Sequence, residues 1–530
     1  MQIKKLNYED IPLFSARDKA YIMEVPALRP FYKYPVTLES FADVLADKQK
    51  ESIDRATLVS VLKRQHEGLN APKEVNANIE KLLQENTFTI ITAHQPALFT
   101  GPLYYVFKII SAINLTKKLA ATYPDYEFVP VFISSGEDHD FEEVNHLHLF
   151  NKTLTWESGE TGPVGHMKTE TLRPVLEELK SILGESDSAK SIYQLIEKTH
   201  TGKENYARAA FELAHELFKS EGLVVLNTND AALKKLFAPI IKKEIFEQVS
   251  QPLVEATFDD LEKAGFPSQA TPREINFFYL HKNIRERIVL ENEHYKVLNT
   301  SLSFSRNEME KEIDEHPERF SPNVIMRPIY QELILPNLAY VGGGGEIAYW
   351  LERKSQFAHF GINFPMLVRR DSALWLDGAT VKKMNKANLK LEDLWKDTDV
   401  LIREYIAKFG NVEISLTKER ATLQSLFEEI AAKAKSTDPS LEKYVLSEHA
   451  KADKSIDQIE TRLLRAEKQA NENAISQIRS VKEKLFPGNG LQERYDNFLP
   501  YFLKYGEDFF TVLKEHFDPL DKKLKVFIDE

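Results

Sequence analysis

The sequence contains no cysteine among its 530 residues. This absence excludes a cysteine nucleophile, a disulfide, thiolate ligation of zinc and an iron–sulfur cluster. No apolar run reaches the roughly 20 residues of a membrane helix, and no apolar stretch of the kind found in a signal peptide follows the first residues. There is no long Lys/Arg block, and the net charge is −12. We therefore expect a cytoplasmic protein that binds neither a membrane nor nucleic acid.

Apolar, β-branched segments alternate with stretches of helical periodicity. The segments that predict strands are residues 87–93, 128–134, 223–227, 338–341 and 365–369. Helices are predicted from Pro102 to about 121, over 231–248 and over 346–356. This alternation is typical of crossover units, and it predicts an α/β fold with a Rossmann-like, parallel, doubly wound core.

Two stretches interrupt this alternation and are interpreted as α+β insertions. The first predicts a hairpin (146–156 with 162–167), and the second predicts short strands over 275–280, 284–291 and 295–298. The predicted boundaries are 1–144, 221–269 and 326–377 for the core, 145–220 and 270–325 for the insertions, 378–490 for a helical arm, and 491–530 for C-terminal helices that return to the core.

A heptad-like pattern predicts the arm as a long antiparallel coiled-coil hairpin. Its first helix carries Leu416, Arg420, Leu423, Phe427, Ile430 and Ala434 in the seam. Its second carries Val445, His449, Ala452, Ile456, Ile459, Leu463, Ala466 and Ala470, and slips phase near Ala474. Asp438 is the predicted N-cap and Pro439 the first residue of the second helix. A solvated intramolecular hairpin and a dimerisation arm fit the pattern equally well.

Polar residues follow the first predicted strand. His94 and Gln95 stand at its carboxyl end, where open α/β sheets bind ligands. Thr100 or Gly101 can cap the next helix, whose free N–H groups favour a phosphate or a carboxylate. The alternative is a capped strand–helix turn with a buried histidine.

An acidic loop follows the second predicted strand. It contains Glu137, Asp138, His139 and Asp140. Crowded acids need a cationic partner, which favours a substrate ammonium, and Asp138, His139 or Asp140 could act as a general base. Two alternatives are a solvated loop and a metal site completed by His146 and His148, although the spacing matches no metal motif, and we predict no metal.

A third motif, Gly342, Gly343, Gly344, Gly345 and Glu346, lies between a strand and a helix. Consecutive glycines allow a ligand to approach backbone N–H groups, which favours a nucleotide or a sugar. Glu346 could accept hydrogen bonds from hydroxyl groups of a ribose or sugar. It could instead only complement the helix dipole, and the glycines could only form a tight turn.

Two further segments contain cations. Arg327 is a candidate bidentate clamp for a carboxylate or phosphate, and a structural ion pair is the alternative. The run of residues 383–387 (KMNKA) superficially matches a phosphate-binding loop, but a solvated helix face is favoured.

Five blocks together resemble the bacillithiol-biosynthesis cysteine-adding enzymes, the BshC family. They are TGPLYYVFKIIS, EDHDFEEVNH, FSPNVIMRPIYQ, GGGGEIAYW and LQERYDNFLPYF, in this order along the chain. The resemblance implies a Rossmann core, two insertions, a coiled-coil arm used in homodimerisation, and the joining of cysteine to the amine of glucosaminyl-malate. Position by position, it implies a pocket containing His94, Gln95, Thr100, Gly101, Tyr104, Glu137, Asp138, His139, Asp140, Asn145, Arg327, Gln331 and Gly342 to Glu346.

Amide formation from a free carboxylate needs activation, so we expect ATP as a co-substrate. In this hypothesis the glycine block and the helix start at Thr100–Pro102 hold the nucleotide. The acidic loop holds an ammonium group and accepts the proton of the amine, and Arg327 binds the malyl carboxylates. Two alternatives stay open. One is another adenylate-forming amide ligase of the pantothenate-synthetase type, and the other is a non-catalytic scaffold whose functional part is the arm.

Overall fold

The computed structural model describes residues 1–410 and 415–529, so the predicted arm and C-terminal segment each include positions outside the described residues. The chain forms two compact units. The core unit comprises Lys4–Leu374 and Glu493–Val526. The arm unit comprises Met1–Ile3, Trp375–Gln492 and Phe527–Glu530.

The strands and α-helices are numbered in chain order. The strands are β1 (Gln2–Asn7), β2 (Thr87–His94), β3 (Glu127–Ser134), β4 (His146–Leu149), β5 (Lys152–Thr155), β6 (Val224–Leu226), β7 (Phe277–His281), β8 (Ile284–Glu291), β9 (His294–Val297), β10 (Ser303–Phe304), β11 (Phe320–Pro322), β12 (Asn337–Gly342), β13 (Met366–Arg369), β14 (Ala373–Leu376) and β15 (Lys523–Ile528). The helices are α1 (Ala16–Ile22), α2 (Phe41–Lys48), α3 (Arg55–His66), α4 (Lys73–Lys81), α5 (Tyr104–Thr122), α6 (Phe141–Val144), α7 (Arg173–Leu183), α8 (Asp187–His200), α9 (Tyr206–Phe218), α10 (Ala231–Glu247), α11 (Ser250–Lys263), α12 (Arg306–Glu315), α13 (Arg327–Ile334), α14 (Gly344–Trp350), α15 (Lys354–Phe360), α16 (Gly378–Lys386), α17 (Thr398–Phe409), α18 (Thr417–Thr437), α19 (Pro439–Ala470), α20 (Glu472–Leu485), α21 (Leu499–Tyr505) and α22 (Asp508–His516).

The central sheet of the core unit has the order β13-β12-β2-β3-β6, and every neighbouring pair in it is parallel. The chain enters at β2 in the middle, extends through β3 to β6, and then returns to the other side of β2 with β12 and β13. Both β2 and β3 are buried along almost their whole length, as expected for strands covered by helices on both faces. The predicted Rossmann-like, doubly wound core is confirmed.

The strand order reverses between β2 and β12, and this switch point positions the site. The connections that follow β2 and β12 leave the sheet in opposite directions and open a crevice at its carboxyl edge, which is where open α/β sheets bind ligands. Because β3 runs parallel beside β2, the acidic loop that follows it opens at the same edge. The three motifs predicted from the sequence therefore lie together.

Two predictions of local structure around this core are wrong. Residues 162–167 form no strand; β4 instead pairs with β5 across a turn in which Phe150 and Asn151 adopt positive φ, as in a tight hairpin. The helix predicted over 346–356 is broken into α14 and α15. At this break the buried Glu352 accepts hydrogen bonds from the backbone of Gln269 and Ala270.

The second insertion carries an antiparallel sheet of order β10-β9-β8-β7-β11. Its strands β7, β8 and β9 match the three predicted there to within two residues at each end. This sheet supplies Arg285, which lines the cavity described below, from strand β8.

In the arm unit the helices α18 and α19 form the predicted hairpin. Asp438 caps α19 by accepting the N–H of Ser440, as predicted. Ile430 and Ile459, both predicted in the seam, are 40% and 52% exposed. Arg420 forms ion pairs with residues of α19, and Phe427 lies 5.2 Å from His449 between ring centroids.

Two smaller predictions for the arm unit are also tested. Helix α19 ends at Ala470 and α20 begins at Glu472, next to the predicted phase slip near Ala474. Lys383 and Lys386 are exposed on α16 while Met384 is buried, so the solvated helix face is confirmed for residues 383–387. No helix of the described chain is both long and apolar enough to cross a membrane.

Candidate functional site

A cavity of about 410 Å³ lies at the carboxyl edge of β2, β3 and β12, within the core unit. Residues of both charges line it: the cations are Lys108, Arg285, Arg327, Arg370 and Arg494, and the acids are Glu137, Asp138, Glu143 and Glu346. A cavity of this volume can hold a ligand of drug size. Its mixed charge suits a ligand that carries both anionic and amine groups.

The predicted site residues divide into two groups. Those that line the cavity are His94, Gln95, Tyr104, Glu137, Asp138, Arg327, Gly343, Gly345 and Glu346. Those that lie outside its lining are Thr100, Gly101, His139, Asp140, Asn145, Gln331, Gly342 and Gly344. The loops after β2, β3 and β12 therefore meet in one cavity, although each contributes only some of its predicted residues.

His94 lies at the end of β2. Its Nε2 is 3.2 Å from the hydroxyl of Tyr104, and its Nδ1 is 2.7 Å from the carbonyl oxygen of Gln95. Burial lowers the pKa of His94 to about 4, and the positive charge of Lys108 contributes to this decrease. The imidazole is therefore neutral at pH 7, when it can exchange a hydrogen bond with Tyr104 but adds no positive charge.

The lowered pKa of His94 predicts acid-sensitive stability. In the unfolded chain the ring titrates near 6.5. As the pH falls below 6.5, the unfolded state binds a proton that the folded state does not bind, so the free energy of unfolding decreases until the pH reaches about 4. Between pH 7 and pH 5 we expect wild type to lose about 1–2 kcal/mol more than His94→Gln, measured by urea denaturation.

The buried His66 and His200, whose pKa values are also lowered by burial to about 4, affect both proteins equally. They therefore cancel in the comparison of wild type with His94→Gln. The same pH dependence in both proteins would contradict the assignment of a neutral, buried His94.

The carboxylate of Asp138, in the acidic loop after β3, contacts two side chains, those of Gln95 and Arg285. Its Oδ2 accepts a hydrogen bond of 2.8 Å from Nε2 of Gln95, and its Oδ1 is 3.3 Å from Nη1 of the buried Arg285. Arg285 also packs over the ring of Phe278, with 3.9 Å to the ring centroid. These contacts orient one carboxylate into the cavity. His139 and Asp140, the other two candidates for the base, are exposed and lie outside the lining.

Glu137 is 4% exposed and forms an ion pair of 2.8 Å with Nζ of the fully buried Lys234. Lys234 also donates to the carbonyl of Phe320 and lies over the ring of Tyr330. Burial lowers the pKa of Lys234, and Glu137 opposes this decrease. Glu137 therefore has a cation of its own within the protein. It also lines the cavity, and its contact with a substrate stays a prediction.

Glu346 lies at the start of α14 and has three partners inside the protein. Its Oε2 is 2.7 Å from Nζ of Lys108 and accepts the N–H of Gly343 at 2.9 Å, while Tyr340 donates to Oε1. Burial alone would raise the pKa of Glu346, but Lys108 and these hydrogen bonds lower it to about 2. The carboxylate is therefore ionised and largely satisfied, which favours complementing the helix start over binding a ribose hydroxyl.

Several glycines of the block 342–345 also have partners within the protein. A Cβ at Gly344 would lie 2.2 Å from the carboxylate of Asp18, and one at Gly342 would lie 2.8 Å from the ring of Tyr340. These two positions need glycine because protein groups pack against them, and they are not in the cavity. Gly343 and Gly345 do line it, but the N–H of Gly343 is already bound by Glu346.

The helix after β2 begins later than predicted, and neither Thr100 nor Gly101 is its N-cap. Phe99, Thr100 and Gly101 all have positive φ, which delays the start of the helix to Tyr104. Thr100 is buried and, with Gly101, lies outside the cavity. Gln331 is 2% exposed, and its Nε2 donates to the buried Glu332 at 3.2 Å.

Arg327 has no acidic partner within the described parts of the chain. Its Nη2 donates a 2.8 Å hydrogen bond to the hydroxyl of Tyr349. Burial alone would lower the pKa of Arg327, but Tyr349, Tyr340 and Glu346 raise it, so the guanidinium stays charged. The alternative prediction for Arg327 is an ion pair with an acid of the protein, and no such pair is found among the described residues. Most of the donors of Arg327 are available to an anion.

Sequence reasoning missed several residues of the cavity. Lys108 lies one helical turn after Tyr104, and Glu143 and Arg494 fall within two of the blocks that carry the family resemblance. Arg285 comes from the second insertion, and no local signal marks it. In residues 1–410 and 415–529, no group of three or more His, Asp or Glu side chains is arranged to hold a metal ion.

The fold and the cavity together define a Rossmann-like α/β enzyme with a separate helical unit. A family model described as the N-terminal Rossmann-like domain of bacillithiol biosynthesis BshC matches residues 1–371, and a model of the C-terminal coiled-coil domain matches residues 373–528. The chain belongs to the bacillithiol biosynthesis BshC family, which confirms the resemblance found in the sequence.

Full-length relatives agree with this assignment. The chain is 40% identical to a protein of Flavobacterium johnsoniae over 98% of both chains, 39% identical to one of Flavobacterium psychrophilum over 97% of both, and 37% identical to one of Christiangramia forsetii over 98% of both. Each of these proteins is named cysteine ligase BshC, with the activity marked as provisional.

Proposed function

We propose that this protein is a cysteine ligase that forms an amide between the carboxyl group of cysteine and the amine of glucosaminyl-malate. The observation that carries this proposal is the cavity itself, in which the charged and otherwise unpaired Arg327 and the oriented Asp138 line the same space. An acceptor that carries two carboxylates needs a cation such as Arg327, and an amine that must lose a proton needs a base such as Asp138. A cytoplasmic location, where thiols stay reduced, suits such a substrate.

Arg327 would bind a carboxylate of the malyl group through the planar fork of its guanidinium. The sugar nitrogen attacks the activated carbonyl carbon as the neutral amine, and Asp138 would accept the N–H proton that the nitrogen loses as the amide forms. His94, neutral at pH 7, and Tyr104 would provide hydrogen bonds to uncharged groups of the acceptor. No step in this scheme needs a cysteine of the enzyme, because the thiol belongs to the substrate.

We further propose that ATP activates the carboxyl group. Activation would form an acyl-adenylate with release of diphosphate, or an acyl-phosphate with release of ADP. Attack by the amine would then release AMP or phosphate, respectively, and this leaving group carries the oxygen that the carboxylate loses. Gly343 and Gly345 are the parts of the glycine block that could approach a phosphate, because both line the cavity. The two glycines outside it, Thr100 and Gly101 are not included in this proposal.

The experiment combines the purified chain with cysteine and glucosaminyl-malate, with and without ATP, and follows both the product and the nucleotide by mass spectrometry. The expected result is an amide product and one nucleotide cleaved per product. Product without nucleotide cleavage would reject the activation step alone. Lack of product with any nucleotide, together with product from a different amine, would reject the acceptor.

The arm carries exposed apolar side chains that support a homodimer. Leu426 and Ile430 stand four residues apart on α18 and are 52% and 40% exposed, and Tyr444 on α19 is 62% exposed. Residues four apart on a helix lie on the same face. Large apolar side chains exposed side by side on one helix face are typical of sites of protein association. We propose that the arm pairs with the arm of a second copy.

The double variant Leu426→Glu/Ile430→Glu should therefore be monomeric. Pairing of the arms would bury two carboxylates without cationic partners, and the cost of removing these charges from water opposes association. Light scattering coupled to size exclusion should give twice the 61.0 kDa chain mass for wild type and one chain mass for the variant. Gln424→Glu, on the opposite side of α18, is the matched control and should stay dimeric. A wild type that elutes as a monomer at micromolar concentration would refute the dimer.

A further inference from the structure

A smaller side pocket of about 80 Å³ adjoins the main cavity. The two spaces share the lining residues His94, Tyr104, Glu143 and Arg494. A group bound in the side pocket therefore lies against the same four side chains as a ligand in the main cavity. The proposed reaction needs two organic substrates to meet, and this arrangement provides two adjoining spaces.

The two charged residues on the shared boundary are unpaired. Among the described residues, the side chain of neither Glu143 nor Arg494 makes a hydrogen bond or an ion pair, with the other or with any other residue. Every other acid and cation that lines the main cavity has a polar partner in the protein. Burial and the negative charges of Asp140 and Asp138 raise the pKa of Glu143, so an added positive charge would be favourable there.

The remaining walls of the side pocket combine small apolar residues with aromatic and imidazole rings. The two histidines among them, His146 and His148, have their Nδ1 atoms occupied by contacts with Asn145 and Thr153. Ala97, Pro102, Val144 and Leu147 provide the apolar part. The ring of His148 stacks on Tyr495 with a centroid distance of 3.9 Å and an angle of 2° between the planes. His148 is fixed further by a contact of 2.9 Å between its Nδ1 and the hydroxyl of Thr153. The wall is thus preformed, and it offers room for a short, weakly polar side chain.

An unpaired cation and an unpaired anion at the edge of one small pocket match the two charges of a free α-amino acid. We infer that the side pocket is the amino-acid subsite: Arg494 binds the α-carboxylate, Glu143 binds the α-ammonium, and the apolar wall receives a short side chain. This inference rests on the proposed function, in which that amino acid is cysteine. The carboxyl carbon then lies at the boundary with the main cavity, where the acceptor amine arrives.

The wall also predicts selectivity among short side chains. A thiol is a weak hydrogen-bonding group and behaves as a small apolar side chain, whereas a hydroxyl loses hydrogen bonds to water when it is buried without a partner. Serine should therefore bind at least tenfold more weakly than cysteine. Methionine, which is longer, should compete poorly because a preformed pocket cannot expand without disturbing its walls.

The test removes the charge of Arg494 and that of Glu143 one at a time and measures the binding and use of cysteine. Arg494→Gln and Glu143→Gln should each raise the KM for cysteine by about tenfold or more, and leave the KM for glucosaminyl-malate within about threefold, because charge-assisted contacts are among the stronger hydrogen bonds. Calorimetry with wild type and each variant should give the same ranking for the Kd of cysteine. Arg173→Gln, which removes an exposed arginine elsewhere, is the control.

Two ligands assign each charge to its residue. Cysteine methyl ester has no carboxylate, so its weak binding should be unaffected by Arg494→Gln but weakened by Glu143→Gln. N-acetylcysteine has no ammonium, so the pattern should reverse. Thermal melting of each variant shows whether the fold is retained. We expect it within a few degrees of wild type, because neither side chain forms a hydrogen bond or an ion pair that the fold would lose.

The outcomes distinguish the subsite from the reaction. An active wild type whose KM for cysteine is unchanged in both variants would overturn the subsite and leave the proposed function standing. Cysteine binding that is lost in both variants, in a chain that forms no product, would support the subsite and overturn the proposed function. A wild type that neither binds nor uses cysteine would overturn both.

Discussion

Asp138→Asn is expected to lower kcat about 100-fold or more while changing the KM of either substrate much less. Asparagine keeps the size of the side chain and its contact with Gln95, but it cannot accept the proton that the acceptor amine must lose. Loss of a general base has an effect of this order. The measurement is the steady-state rate of amide formation, with the pH dependence of kcat followed in both proteins.

The loop itself provides the comparison for this variant. His139→Asn and Asp140→Asn change exposed side chains that lie outside the cavity lining, and we expect each to remain within threefold of wild type. Because Asp138 also faces the buried Arg285, thermal melting must show that Asp138→Asn is folded. A folded Asp138→Asn with more than a third of wild-type kcat, or a large loss in Asp140→Asn instead, would move the base to another residue.

Arg327→Gln is expected to raise the KM for glucosaminyl-malate about 30-fold or more. The variant removes the positive charge and the fork that would bind a malyl carboxylate, and a charge-assisted pair contributes roughly 1.5–3 kcal/mol. Arg327→Lys should recover part of the affinity, since it restores the charge but not the bidentate geometry. Initial rates at varied acceptor concentration provide the measurement.

An acceptor without the malyl group tests whether the effect of Arg327→Gln depends on the malyl carboxylates. A simple glucosamine glycoside should be a poor substrate of wild type, and Arg327→Gln should not make it poorer. Arg173→Gln is again the control for the loss of one arginine from the chain. If Arg327→Gln weakens the two acceptors equally, the residue does not bind the malyl carboxylate, and its role is limited to its contact with Tyr349.

The core of the fold was predictable because its strands have local signatures. β2, β3 and β12 are continuous apolar segments, and buried parallel strands with crossover helices produce this pattern. The hairpin of β4 and β5 was misplaced because its turn, at Phe150 and Asn151, lacks the glycine that usually marks a positive φ. The break between α14 and α15 was missed because it depends on Glu352 reaching a distant backbone.

The candidate site was predictable only where strand ends supply it. His94 is the last residue of β2, and Asp138 and Glu346 stand four residues after the ends of β3 and β12. Because these strands are parallel neighbours in one sheet, the topology places the three residues at the same edge. Whether such a side chain is available to a ligand depends on its partners. The sequence cannot show that Lys108 binds Glu346 or that Lys234 binds Glu137, because these lysines lie on helices far along the chain from the acids they pair with.

The sequence also could not show which glycines of the block are available to a ligand. Four consecutive glycines before a helix predict a ligand cradle, yet Gly342 and Gly344 serve close packing against Tyr340 and Asp18. Only the three-dimensional contacts separate glycines that a ligand needs from glycines that the protein needs. Conversely, Arg494 lies in a block quoted for the resemblance but follows none of the strand ends on which the site predictions relied.

The central claim is that one cavity at the carboxyl edge of β2, β3 and β12 brings the acceptor amine to Asp138 while Arg327 binds its malyl group. A crystal structure of the protein with glucosaminyl-malate tests it most directly. The account predicts a malyl carboxylate within hydrogen-bonding distance of the Arg327 guanidinium and the sugar nitrogen within hydrogen-bonding distance of a carboxylate oxygen of Asp138. Glucosaminyl-malate bound outside this cavity, with the cavity holding only water, would contradict it.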